Sequence, residues 1–102
     1  MDNDTFTVNM KESGVVGAVS RVVALKIKNN IIAEISGSDY QNVLLDFSGV
    51  DFVTSGFVAD LLMGLRDYFG AQFKNKVKIQ IEPENVALKG TLIRVLASVA
   101  QK

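Results

Sequence analysis

Cysteine and histidine are both absent from this 102-residue chain. Without cysteine there is no disulfide framework and no thiolate nucleophile, and without histidine no Ser-His-Asp triad can form within the chain. Zinc sites built on sulfur or imidazole are excluded with them. Long apolar runs are missing too; the longest span only a few residues, too short for a helix that crosses a bilayer. Neither charge is in excess, with 11 basic residues against 11 acidic ones, so the chain lacks the electrostatic footprint of a dedicated nucleic-acid binder. Its opening, Met1-Asp2-Asn3-Asp4, is acidic where a secretory signal is basic and then apolar, which points to the cytoplasm. Carboxylates, lysines and hydroxyls are the chemistry that remains. The expectation is a non-enzymatic protein with no cofactor and no metal.

What the chain does have is core-forming material. Hydrophobic residues make up 48% of it, too many for a disordered chain, and its length suits one domain over residues 1–102. Phe6, Val8 and Met10 alternate with polar residues across Thr5–Met10, the period of a half-buried strand. Lys11 to Gly17 reads as a loop, and a further short strand fits between Gly14 and Ser20. Ser20 is placed to cap a helix carrying Val22, Leu25, Ile31, Ile32 and Ile35, which Ser36-Gly37-Ser38-Asp39 closes with turn chemistry. Val43-Leu44-Leu45 is a continuous apolar run, the pattern of a central strand covered on both faces.

The clearest helix runs from Ser55 to Phe69, with Phe57, Val58, Leu61, Leu62, Leu65 and Phe69 in one stripe and Gly70 as its stop. Lys76 to Glu82 alternates strictly, as a strand with one wet face does, and its lysines suit a sheet edge. Pro83 ends that strand. Asn85 or Glu84 then opens a last helix carrying Val86, Leu88, Leu92, Ile93, Leu96 and Val99, with Gly90 as its weak point. The order strand, helix, strand, helix, strand, helix predicts an α/β domain with a central, mainly parallel or mixed sheet and about three helices.

The stretch Leu44-Leu45-Asp46-Phe47-Ser48-Gly49-Val50-Asp51-Phe52-Val53-Thr54-Ser55-Gly56-Phe57, followed by Leu61 and Leu65 in helical phase, resembles the STAS domains of bacterial anti-sigma-factor antagonists. It is more similar still to the STAS-like family of unknown function, and Gly17-Ala18-Val19-Ser20-Arg21 before the first helix fits that group as well. The resemblance implies a STAS-like fold and a bacterial regulatory module that binds a protein partner, a serine kinase or a histidine-kinase-type ATPase. In the antagonists a serine at the helix start is the phosphorylation target, and Ser55 falls on it. Thr54 then stands where the antagonists carry aspartate, Gly56 where they carry a second hydroxyl, and Phe57 where they carry glycine.

The residues support this reading and plainer ones. A helix start offers free backbone N–H groups and a partial positive charge, so Thr54, Ser55 and Gly56 suit a phosphate, an acidic partner group, or a small nucleotide or anion ligand. The plain reading of Thr54 or Ser55 is a helix cap. Asp46 and Asp51 bracket the turn before the helix; Asp46 is expected to bond a backbone turn or the helix start and Asp51 to be solvated. Phe57 and Val58 are core residues first and interface anchors second, with Met63, Gly64 and Tyr68 on the adjacent side. Lys74, Lys76 and Lys78, with Lys89 and Arg94, form a basic strip that reads as a solvated edge; neither nucleic acid nor membrane is an expected partner. A homodimer through the strand Lys76 to Glu82 is the remaining alternative.

Overall fold

A computed structural model describes residues 4–12, 21–50 and 53–100. Three strands, β1 (Thr5–Asn9), β2 (Asn42–Asp46) and β3 (Val77–Gln80), form one sheet in the order β1-β2-β3. Both pairings are parallel, with Val8 opposite Leu45, Val43 opposite Val77 and Leu44 opposite Lys78. This register sends Val8, Val43, Leu45 and Val77 to one face, where all four are buried in the core. Thr5, Thr7, Asn42, Leu44 and Lys78 line an open groove on the other.

Among the described residues the middle strand is therefore covered on one face, not on both as its apolar run suggested. Leu44 is half-buried between Val43 and Leu45, which are fully buried. Its neighbours on the open side are threonine, asparagine and lysine, so that face has little apolar area to hide. An alternating requirement is disguised as a continuous run by one extra leucine.

The covered face carries three long helices: α1 (Arg21–Ser36), α2 (Ser55–Phe69) and, after a short α3 (Phe73–Lys76), α4 (Val86–Ala100). Helix α1 buries Ala24, Ile27 and Ile31, α2 buries Phe57, Val58, Leu61, Leu62 and Leu65, and α4 buries Leu88, Leu92, Val95 and Val99. These side chains join the strand residues and Phe47, Val50 and Val53 in a single core. Side-chain phase in the two outer helices differs from the expected stripes. Val22 and Leu25 of α1 and Val86 and Ile93 of α4 are exposed, because each outer helix meets the core along one side while its apolar residues surround it.

Helix ends follow the local chemistry. The Gly37 N–H returns to the Ala33 carbonyl and the Ser38 hydroxyl donates to the Glu34 carbonyl, closing α1. Gly70 ends α2 at φ +61°, in a region where a side chain is disfavoured, and its N–H donates to the Arg66 carbonyl. The chain then makes a 3₁₀ turn over Gly70–Gln72 and the short α3, neither of which the sequence suggested. Lys76 belongs to α3, so β3 begins one residue later than expected and ends at Gln80. Asn85 caps α4, its Oδ1 accepting the Leu88 N–H at 3.1 Å. Ser20, the segment Gly14–Ser20, most of the loop Lys11 to Gly17, and Asp51 lie outside the described residues.

Candidate functional site

The described residues between β2 and α2 are held by a series of anchoring bonds. Phe47 continues the sheet by donating its N–H to the Gln80 carbonyl at 2.9 Å. The carboxylate of Asp46 accepts the Ser48 N–H at 3.0 Å, the side-chain turn expected of an aspartate here. Gly49 sits at φ +83°, where a side chain is strained, and the Val50 N–H closes the turn onto the Phe47 carbonyl at 3.0 Å. Two bonds tie this turn to the connection between β3 and α4: the Gly49 N–H donates to the Glu82 carboxylate, and Asn85 Nδ2 donates to the Val50 carbonyl at 3.1 Å. Phe47, Val50 and Val53 point inward and are buried. Buried Val50 and Val53 thus anchor the chain on the approach to Thr54.

Thr54 is the N-cap of α2. Its backbone is extended (φ −77°, ψ 150°), its Oγ1 accepts the Phe57 N–H at 3.2 Å, and its carbonyl accepts the Val58 N–H at 3.2 Å. Capping by Thr54 satisfies one donor of the first turn and releases Ser55 from that duty. Ser55 is exposed, and its hydroxyl makes no hydrogen bond among the described residues. Gly56 beside it is exposed, and a Cβ built there would meet nothing within 4 Å. The first turn carries no acidic residue, so the positive end of the helix is not offset by a carboxylate of its own.

The structure separates the sequence candidates. Thr54, Ser55 and Gly56 share the solvent-facing start of α2. Phe57 does not join them: at 2% exposure it packs in the core, as does Val58. Phe57 therefore acts on the site from below, by fixing the helix, and offers no apolar anchor to a partner. Asp46 is half-buried in its turn at the end of β2.

Exposed apolar surface on α1 and α2 lies further along α2 than its start. Met63 is 40% exposed and shares the outer side of α2 with Gly56, two turns along. Leu25 of α1, equally exposed, lies on the flank that faces α2. That flank is marked by Arg21, whose Nε is 3.5 Å from the Asp60 carboxylate, and by Lys28, whose stem covers Gly64. The Arg21–Asp60 pair is solvent-screened and holds the helices together only weakly. Further along, the Ser36 and Tyr68 hydroxyls are 3.0 Å apart. The signal that could have singled out Leu25 and Met63 is an apolar residue out of phase with the buried stripe, and it is visible only once the helix phase is known.

No group of three or more acidic, histidine or cysteine side chains is placed to hold a metal ion among the described residues. No helix among them is long and apolar enough to cross a membrane. No curated protein and no solved structure gives a match to the chain. A family model does match residues 24–90, from the first turn of α1 into α4, and so takes in β2, the anchored turn, all of α2 and β3. With a parallel sheet, three long helices packed on it and a serine-bearing helix start after the second strand, the chain belongs to the family described as the STAS-like domain of unknown function (DUF4325).

Proposed function

We propose that this domain is a non-enzymatic regulatory module of a bacterial cytoplasm that binds a protein partner at the start of α2, with Ser55 as a phosphorylatable switch. The observation that carries the reading is the division of labour between two adjacent hydroxyls. Thr54 is consumed by the helix cap, whereas Ser55 is exposed and its hydroxyl makes no hydrogen bond among the described residues. A hydroxyl in that position is open to a kinase and is not needed by the fold.

Phosphate on Ser55 would add roughly −1.5 to −2 charges and three strong acceptors. At the N-terminus of α2 this charge meets the positive end of the helix, so it leaves the fold intact and changes only what the surface presents. Gly56 lets a partner approach the backbone, and Met63, two turns along the same side of α2, supplies apolar contact. The partner of this reading is a serine kinase or a histidine-kinase-type ATPase, whose docking surface the new charge would repel.

The test is a pull-down from native cells with the wild type, Ser55→Ala and Ser55→Glu, each recovered protein then weighed intact. Retention of a partner by the wild type and Ser55→Ala, and its loss with Ser55→Glu, is the expected pattern. Equal retention by all three, with no added phosphate on the wild type, would reduce Ser55 to an ordinary surface residue.

A further inference from the structure

The outer edge of β3 carries a groove that the Ser55 reading leaves unused. Val77, Ile79 and Ile81 line one side and Ile93 and Leu96 of α4 the other, around a volume of about 340 Å³. Ile93 is 55% exposed and Val86, two turns earlier on α4, is 74% exposed. Large apolar side chains grouped in this way on a small domain mark an interaction surface more often than isolated ones do.

The strand beside the groove is also open for pairing. Among the described residues no strand lies beyond β3, which is an edge of the sheet. The Gln80 carbonyl is directed at β2, where it accepts the Phe47 N–H. Backbone groups alternate sides along a strand, so those of Ile79 and Ile81 face outward. An added strand would place every second side chain against Ile79, Ile81 and Ile93, and the others on the open sheet face beside Lys78.

Charge specifies what such a strand should carry. Lys74, Lys78 and Lys89 border the groove, and none of them forms an ion pair among the described residues. Although the chain is neutral overall, residues 74–94 hold Lys74, Lys76, Lys78, Lys89 and Arg94 against only Glu82 and Glu84. The Glu82 carboxylate is already engaged by the Gly49 N–H.

The geometry points to a docking site for an extended, acidic segment of a partner protein, added as a strand to β3 with apolar side chains in the groove and carboxylates on the lysines. A second copy of the chain fits poorly, because pairing β3 with β3 sets the lysines of one copy against those of the other. Single-stranded nucleic acid lacks a stacking platform here, since Phe73 is buried. The site stands apart from Ser55 and does not depend on it.

Selection of a displayed random-peptide library against the full chain tests the proposal. Binding of the recovered peptides is measured by fluorescence anisotropy, and amide exchange is followed in the complex. The selected sequences should alternate apolar and acidic residues, slow exchange at Ile79 and Ile81, and weaken as salt is raised. Affinity should fall about tenfold in Ile93→Glu and again in Lys74→Glu/Lys78→Glu, and stay unchanged in Ser55→Glu. Ile93 is exposed, so Ile93→Glu keeps the fold, which its melting curve checks independently.

Several results would overturn the proposal: no sequence enriched over the Ile93→Glu control, a basic or non-alternating consensus, or protection confined to other elements. Two more name a different occupant. A wild-type dimer that Ile93→Glu dissociates would assign the groove to a second copy, and lysine-dependent binding of oligonucleotides without peptide binding would assign it to nucleic acid.

Discussion

Replacing Thr54 by alanine removes the acceptor for the Phe57 N–H and leaves α2 without its side-chain cap. Loss of an N-cap hydroxyl costs about 1 kcal/mol. For a domain of this length that is a fall in Tm of roughly 5 °C. Thr54→Ser keeps the hydroxyl and should recover most of the loss. Ser55 gives the opposite result. Its side chain is exposed and unbonded among the described residues, so Ser55→Ala should change stability by no more than about 0.5 kcal/mol. Ser55→Glu places a carboxylate in a first turn that has none, a gain of roughly 0.3–1 kcal/mol. Thermal melts followed by circular dichroism, with urea titrations alongside, read all four variants. A neutral Thr54→Ala together with a destabilising Ser55→Ala would refute the reasoning. The capping role would then belong to Ser55, and its hydroxyl would not be free for a kinase.

Other expectations test the frame that holds this helix. Gly90 lies within α4 with nothing within 4 Å of a built Cβ, so Gly90→Ala should stabilise by about 0.5–1 kcal/mol, seen as a higher Tm. Leu61 is fully buried in the middle of α2, and Leu61→Ala should cost about 2–5 kcal/mol, read as a large drop in the urea midpoint. Asn85 both caps α4 and holds the Val50 carbonyl, so Asn85→Ala should lose about 1–2 kcal/mol and speed amide exchange in the Phe47–Val50 turn; an unchanged turn would show that the tie to α4 is dispensable.

Legibility in the sequence followed how many constraints agreed at each place. Helix α2 was readable to its ends because an apolar stripe, a hydroxyl cap and a terminal glycine all gave the same boundaries. The α/β class and its mainly parallel sheet were readable from the alternation of strands and helices; the order of strands within the sheet was not. The phase of α1 and α4 was not, because Val22, Leu25, Val86 and Ile93 are apolar without being buried; only the packing of α1 beside α2, and of α4 on its other side, decides which flank turns inward. Leu44 misled in the same way, suggesting cover on a face that its threonine, asparagine and lysine neighbours leave open. The short α3 escaped notice because Lys76 and Lys78 fit the strand alternation equally well. At the site, the start of α2 was legible, but the roles within it were not. Either hydroxyl could cap, and only the bond from Phe57 to Thr54 assigns that task to one of them.

The most direct measurement is phosphosite mapping on the protein recovered from its native cells, in free and partner-bound fractions. The account predicts phosphate on Ser55 in the free fraction and an unmodified Ser55 in the bound one. Phosphate on Thr54 instead, or Ser55 unmodified in both fractions while Ser55→Glu binds the partner as the wild type does, would contradict it.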